Sequence, residues 1–417
     1  MSDESENQWM NACLCDYAFT DKRLPLESMG NAATHREAWL AWSKEYSDFF
    51  GSKEDLSYLR RAAHSWVAIS DWLKKNAPPM HATLMPGVKR EEMEKFEGGG
   101  TLPSALKAIY RIHNGQDPRR AAIDIARDDS TFFGLFGGYN FYDHVINLRM
   151  LSLEVGLNLA EQQAASFSWE ETVPDRPFVI ACSLRMPDTS GQSRIPKMLV
   201  VNNKTAKIWL RGHDSRLMRA CKNTDVSDGV LKWFEDFAAR VAAQNFEFKP
   251  IVPAAPLLGL SLYPRCPPTG GEATTQSIRI RGSSIFVPEK TRINYWFTYC
   301  FRMSAVAALP AEWGGTCQLV TRHLVFSDSI SESPNIVDGE GVIGDFPILK
   351  FGRHQRSTGQ PEQEGEYEYA SCTGVDSDLG EVSGSFRFVP GTIKAPKGPP
   401  FDVKIPNIKL IVPDYIS

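Results

Sequence analysis

The chain has 417 residues, enough for two or three domains at roughly 150 residues each. Hydrophobic residues make up 42% and charged residues 23%, ordinary globular usage that excludes a disordered, collagenous or coiled-coil protein. A formal charge of −4 supplies no global basic field for nucleic acid or an anionic membrane. The longest apolar stretch, residues 251–262, is broken by Pro253, Pro256 and Gly259 and is too short to span a bilayer.

The opening MSDESENQWMNACLCDYAF is acidic and lacks the basic and apolar regions of a signal peptide. Eight cysteines without a dense framework fit free thiols in a reducing compartment. Cys13 and Cys15 form a lone C-x-C with no second pair to complete a zinc site. Asn203-Lys204-Thr205 matches a glycosylation sequon, an accidental one in a chain with no export signal. The expectation is a soluble protein of the cytoplasm or nucleus.

Residues 1–30 are polar apart from an apolar knot at 9–19. From His35 the pattern turns helical, with Trp39, Trp42 and Tyr46 three and four apart. A second helix carries Leu56, Leu59, Ala63, Trp66, Ile69 and Leu73 on one face and stops at Pro78-Pro79, where the backbone donor is missing. Residues 35–76 therefore read as a helical connector in which Trp66 and Trp72 pack. A short charged helix, a Gly98-Gly99-Gly100 break, and a helix from an N-capping Ser104 to a stop at Asn114-Gly115 follow. FFGLFGGYNFYDH suits tight strands and turns, and residues 177–183, 197–202 and 207–210 read as strands. Residues 229–244 return to helix, with Leu231, Phe234, Phe237 and Val241 on one face. Residues 77–249 thus form an α+β domain.

Residues 250–271 are rich in proline and glycine, as a linker is. Beyond them the period becomes two: Ile278 and Ile280 alternate with Arg279 and Arg281, and YWFTYCFRM, QLVTRHLVF, EYEYAS, GSFRFV and FDVKI follow. Short strands bounded by turn residues, with no helical pattern, make residues 272–417 an all-β sandwich or barrel. The whole is an α+β multidomain chain.

Gly339, Gly341 and Gly344 spell G-x-G-x-x-G. A dinucleotide site needs a parallel strand before that motif and a helix after it, whereas Pro347 follows here in an all-β region. The glycines read as a structural inter-strand turn, and Glu340 and Asp345 would repel a pyrophosphate. His323 lies beside Arg322 in a strand, where alternation sends one of them inward, and reads as a satisfied structural histidine. Cys317 or Cys372 would need a partner base to act as a nucleophile. No hydrolase elbow, phosphate loop, kinase signature or zinc-ligand spacing is present. The expectation is no catalytic residue, no cofactor and no metal.

The C-terminal domain resembles an ApaG domain. The residues that carry the likeness are Cys317-Gln318-Leu319 with Arg322-His323; the run from Gly339-Glu340-Gly341 through Gly344-Asp345-Phe346-Pro347; Tyr367-Glu368-Tyr369 with Ser371-Cys372; Gly384-Ser385-Phe386; and Phe401-Asp402-Val403-Lys404-Ile405-Pro406. This implies a fibronectin-III-like β-sandwich in which residues 353–364 are a flexible insertion. The middle domain resembles the SUKH type through Leu102-Pro103, through the run of Tyr110-Arg111 to Gly115-Gln116, and through Gly134-Leu135-Phe136-Gly137-Gly138-Tyr139. SUKH modules mostly bind proteins. That order of domains is similar to certain F-box proteins of plants and animals, the plant group above all. In that family an N-terminal F-box binds the adaptor of a cullin ligase and the rest recognises substrate. SDESENQWMNAC resembles the end of an F-box, with Trp9 and Cys13 at its Trp and Cys positions, so residues 1–20 read as a residual F-box segment. A leucine-rich three-helix unit does not fit into the 34 residues before His35, so adaptor binding is expected only with a complete F-box.

Three functions stand open at this point. The first is a non-enzymatic substrate-recognition subunit of a cullin–RING ubiquitin ligase, with protein substrates as partners and neither nucleic acid nor membrane among them. The second is a stand-alone protein-interaction module. The third is a small-molecule-binding ApaG domain that uses the glycine turn.

Overall fold

The structure is a computed structural model that describes residues 3–17, 32–97, 101–119, 132–169, 173–174, 176–187, 193–212, 216–221, 227–243, 245–252, 257–291, 293–357 and 359–416. The expected break at Gly98-Gly99-Gly100 lies outside them. Two compact units emerge. One comprises Met1–Gly138, Ile146–Ser261 and Asp414–Ser417, the other Tyr139–Val145 and Leu262–Pro413.

The first unit begins with helix Asp3–Tyr17, which packs on helix His35–Glu45. Cys13 is buried with its thiol toward the His35 carbonyl at 3.4 Å, and Trp9 lies 5.4 Å from Trp39. Glu6 accepts from the His35 amide at 2.8 Å, which holds its carboxyl below the usual range. Helix Lys53–Asn76 starts where the Ser52 hydroxyl accepts from the amides of Glu54 and Asp55. Its apolar face buries Leu59, Ala63, Trp66, Ile69 and Leu73, and Pro78 opens a separate single turn after it. Trp66 packs against Phe234 and donates its indole N–H to Ile109 O at 3.0 Å, so it is a core residue.

Two local readings need correction, and one helix is additional to those expected. Helix Ser104–Ile112 is capped at Pro103, one residue before the expected Ser104, and gives way to strand His113–Gln116 before Asn114-Gly115 is reached. Asn114 instead accepts from the Leu153 amide at 2.8 Å. Helix Leu153–Gln163, capped by Ser152, was hidden by its continuity with the apolar strand His144–Met150. Residues 250–271, read as a linker, contain the strand Leu257–Ser261. That strand runs parallel to Phe132–Phe141 and antiparallel to Glu247–Pro250, with Leu257 and Leu260 buried. The strand itself, Leu257 to Ser261, contains no proline.

The eight-stranded sheet runs in the order Leu217–Arg219, Ile208–Arg211, Met198–Val201, Phe178–Cys182, His144–Met150, Phe132–Phe141, Leu257–Ser261, Glu247–Pro250. Gly134 sits where a Cβ would meet Asn147 Oδ1 at 1.8 Å, so only glycine lets these strands close up. Helix Gly229–Ala242 buries Leu231, Phe234, Phe237 and Val241, as its spacing predicts.

The second unit is a β-sandwich. A four-stranded sheet of Gly270–Thr275, Ile278–Phe286, Tyr295–Ala305 and Tyr367–Val375 faces a sheet centred on Cys317–Asp328 and Leu379–Thr392. Tyr299, Phe301, Phe326, Tyr369 and Phe386 interleave between them, with Phe301 and Phe386 edge-to-face at 5.4 Å. Among the described residues its helical structure is limited to the single turns Pro288–Lys290 and Ala311–Trp313. Residues 353–364, expected to be a flexible insertion, contribute strands Arg353–Gln355 and Gln363–Glu364 to the larger sheet.

Candidate functional site

The central strand Cys317–Asp328 pairs antiparallel with Asn335–Glu340, whose last residues are followed by the glycine turn. Gly341 donates its N–H to Val320 O at 2.8 Å and has φ +55, and Gly344 has φ +72. A Cβ on Gly341 would sit 2.4 Å from Asp345 O, so glycine is required there by both angle and space. Gly339 lies in the ladder opposite Arg322. Val342 and Asp345 then close the turn on each other, and strand Ile348–Lys350 follows. The strand before the motif is antiparallel and a strand follows it, so the strand–helix geometry of a dinucleotide fingerprint is not built here.

Asp345 corrects one electrostatic expectation. It does not face outward to repel an anion; it is buried and accepts from Ser357 N at 2.8 Å, Ser357 Oγ at 2.7 Å, Tyr367 Oη at 3.0 Å and Arg356 at 3.2 Å. Burial alone pushes its carboxyl up, but the donors from Ser357 and Tyr367 and the charge of Arg356 outweigh that and hold it below the usual range. Arg356 and Ser357, just after strand Arg353–Gln355, are tied to Asp345 by these bonds.

Arg322 and His323 part as alternation requires. Arg322 is half-buried and donates to Gly341 O at 2.7 Å and Glu340 O at 3.1 Å, tying down the turn. His323 faces outward, and its Nδ1 meets Asp338 Oδ1 at 2.7 Å. Register places Asp338, His323, Ser385 and Lys404 in one row across four strands. Beside it Arg387 forms a two-bonded pair with Asp402 at 2.8 and 3.0 Å, and hydrogen bonds from Arg387 hold the Asp402 carboxyl low. Arg322, His323, Asp338, Ser385, Arg387 and Asp402, with Thr321 and Glu340, line a groove of about 570 Å³. Two arginines and a histidine face three carboxylates here, an arrangement suited to holding charged side chains of a peptide.

The cysteines weighed as nucleophiles are poorly placed for it. Burial pushes the Cys317 thiol up to about 12, and burial also raises that of Cys372. Among the described residues no group of three His, Cys, Asp or Glu side chains is gathered as metal ligands would be. No described helix is long and apolar enough to cross a membrane.

In the first unit the run 110–116 is absorbed into the scaffold. Tyr110 donates to Leu151 O at 2.9 Å, and His113 Nδ1 meets Met85 O at 3.0 Å. Gln116, fully buried, donates to Thr83 Oγ1 and Phe133 O and accepts from the amides of Leu135 and Met150. Arg111 is buried, bonds Val88 O and Glu45 O, and lies 5.0 Å from the Tyr46 ring, at the wall of a cleft of about 680 Å³. In the second unit Glu289 accepts from Tyr139 at 2.6 Å and meets His144 at 2.8 Å, all three buried. Sequence reading missed the groove because Arg387 and Asp402 become neighbours of His323 only through the strand order.

Comparison with known proteins fits this architecture. The ApaG domain family matches residues 288–390. F-box protein SKIP16 of Arabidopsis thaliana is 27% identical across 100% of this chain and 92% of its own length. F-box only protein 3 of Homo sapiens is 23% identical over 89% of this chain and 69% of its own. Protein ApaG of Nitrosospira multiformis is 30% identical over 34% of this chain and 95% of its own.

Proposed function

Because the chain belongs to the family of F-box proteins that carry a C-terminal ApaG domain, we propose that it is a non-enzymatic substrate-recognition subunit of a cullin–RING ubiquitin ligase. Target proteins bind through the ApaG domain at 272–417 and the SUKH-like domain at 77–249, in the cytoplasm or nucleus. The observation that carries this reading is the likeness to F-box protein SKIP16 along the whole chain, not the ApaG segment alone. The site chemistry supports it. The glycine turn of Gly339, Gly341 and Gly344 is structural, and the polar groove beside it offers paired charges rather than an activated nucleophile. The helix holding Trp9 and Cys13 is read as F-box-like, and adaptor binding is assigned to an F-box rather than to the ApaG or SUKH-like domain.

The test is turnover of bound proteins. Proteins that co-purify with the full chain are identified, and their half-lives are measured with and without it. At least one bound protein must become longer-lived on depletion of the chain and on inhibition of cullin activation. If bound proteins keep their half-lives in both conditions, the ligase reading fails and a stand-alone interaction module remains.

A further inference from the structure

We infer that the free edge of strand Asn335–Glu340 is a docking site for an extended peptide segment with the pattern basic–any–basic–any–apolar, which adds to the sheet as an antiparallel strand. Among the described residues this strand pairs with Cys317–Asp328 alone. An unpaired edge offers a row of backbone donors and acceptors to a second chain.

The phase of the ladder shows which groups are on offer. The Gly341 N–H bond to Val320 O points residue 341 toward the central strand. Period-two alternation then points 339, 337 and 335 the same way, leaving the backbone groups of Ile336 and Asp338 and the N–H of Glu340 directed outward, while Arg322 holds the Glu340 carbonyl. The side chains of these same three residues share the solvent face and are exposed, while Val337 and Gly339 are partly covered. A peptide on this edge therefore meets an apolar residue and two carboxylates in alternate positions. Running antiparallel, it sets its basic residues beside Glu340 and Asp338 and its apolar residue beside Ile336.

Two further features mark this rim. Ile330, Ile336 and Ile343 are 69%, 52% and 53% exposed, three apolar side chains before, on and after one strand. Ile343 also holds φ +49, a conformation that branched side chains resist and that persists only where the surroundings impose it. Charge selects the partner: Glu332 and Glu340 are exposed before and on the strand, with Asp338, which already meets His323, between them in sequence, so a basic segment is favoured over an acidic one. The strand carries no lysine, and its one nearby proline, Pro334, precedes it, so these two common guards against edge pairing are absent from it.

This inference rests on the substrate-recognition reading for the identity of the partner, which would be a target protein presenting such a segment. The test is fluorescence anisotropy of a labelled KTKTVT peptide titrated with the full chain, with ETETVT as control. Saturable binding of KTKTVT is expected, at least tenfold tighter than ETETVT. Glu340→Lys, at an exposed position, and Ile336→Pro, which removes an outward N–H and fixes φ at an edge-strand position, should each weaken it tenfold or more. Absence of saturable binding, equal affinity for both peptides, or undiminished binding by the folded Glu340→Lys protein overturns the inference. Bound targets whose turnover is unchanged by Glu340→Lys would sink the edge while leaving the ligase reading standing. Peptide binding without any effect of the chain on target turnover would do the reverse.

Discussion

The runs 110–116 and 339–347 both carry polar side chains around glycine at positive φ, yet they are used in opposite ways. In the first, Tyr110, His113, Asn114 and Gln116 turn inward, and each spends its polar atoms on the backbone or side chains of neighbouring strands and helices. In the second, Asp345 alone is consumed that way, while Glu340 and Ile343 are displayed at the rim of a sheet. A polar motif whose atoms are all bonded inside a unit is scaffold. One that holds a turn rigid and leaves an edge uncovered has binding capacity to spare.

The largest expected effect tests the scaffold side. Gln116→Leu removes four buried hydrogen bonds and strands their partners, costing about 4 kcal/mol. Denaturant unfolding of the full chain should show it. A loss under about 1 kcal/mol would mean the motif is not a keystone.

On the turn side, Gly341→Ala forces a Cβ against Asp345 O at a positive φ and should cost about 2 kcal/mol. A neutral outcome in thermal melts would show that the turn relaxes freely.

Much of this contrast is legible in the sequence. The 3.6-residue spacing marked the helices at 53–76 and 229–242, and the change to period two marked the sandwich. What escaped depended on partners far along the chain. Strand Leu257–Ser261 takes its place beside residues some 125 positions earlier, a pairing that local composition cannot report. Arg356 and Ser357 are held by Asp345, whose inward turn follows from donors at 356, 357 and 367. At the site, the glycines announced a turn and alternation separated Arg322 from His323. That Asn335–Glu340 is an edge depends on the order of strands in the sheet, which its own residues do not encode.

Acid should distinguish the rim as well. Amides of Ser331, Ile330 and Asp376 hold the Asp328 carboxyl down to about 2, so its contribution is complete above the ordinary carboxylate pKa of about 4. That contribution is lost as pH falls from there through the folded value. Unfolding between pH 5 and 2 should therefore show a smaller acid-dependent loss in Asp328→Asn than in the parent. Identical slopes would deny the Asp328 turn its role.

The smallest effect is a gain. Ile343→Asn relieves a branched residue at φ +49 and should raise stability by about 0.5–1 kcal/mol while removing an apolar side chain from the rim. A destabilised variant would show that Ile343 packs more than its exposure indicates.

Residue-resolved hydrogen exchange on the full chain tests the central contrast most directly. In the free protein the amides of Ile336, Asp338 and Glu340 should exchange freely, while those of Val337, Gly339 and Gly341 are protected. Saturating KTKTVT should protect the first set and leave the second unchanged. Protection of all six in the free protein, or no new protection with peptide bound, would contradict an open edge that receives a partner strand.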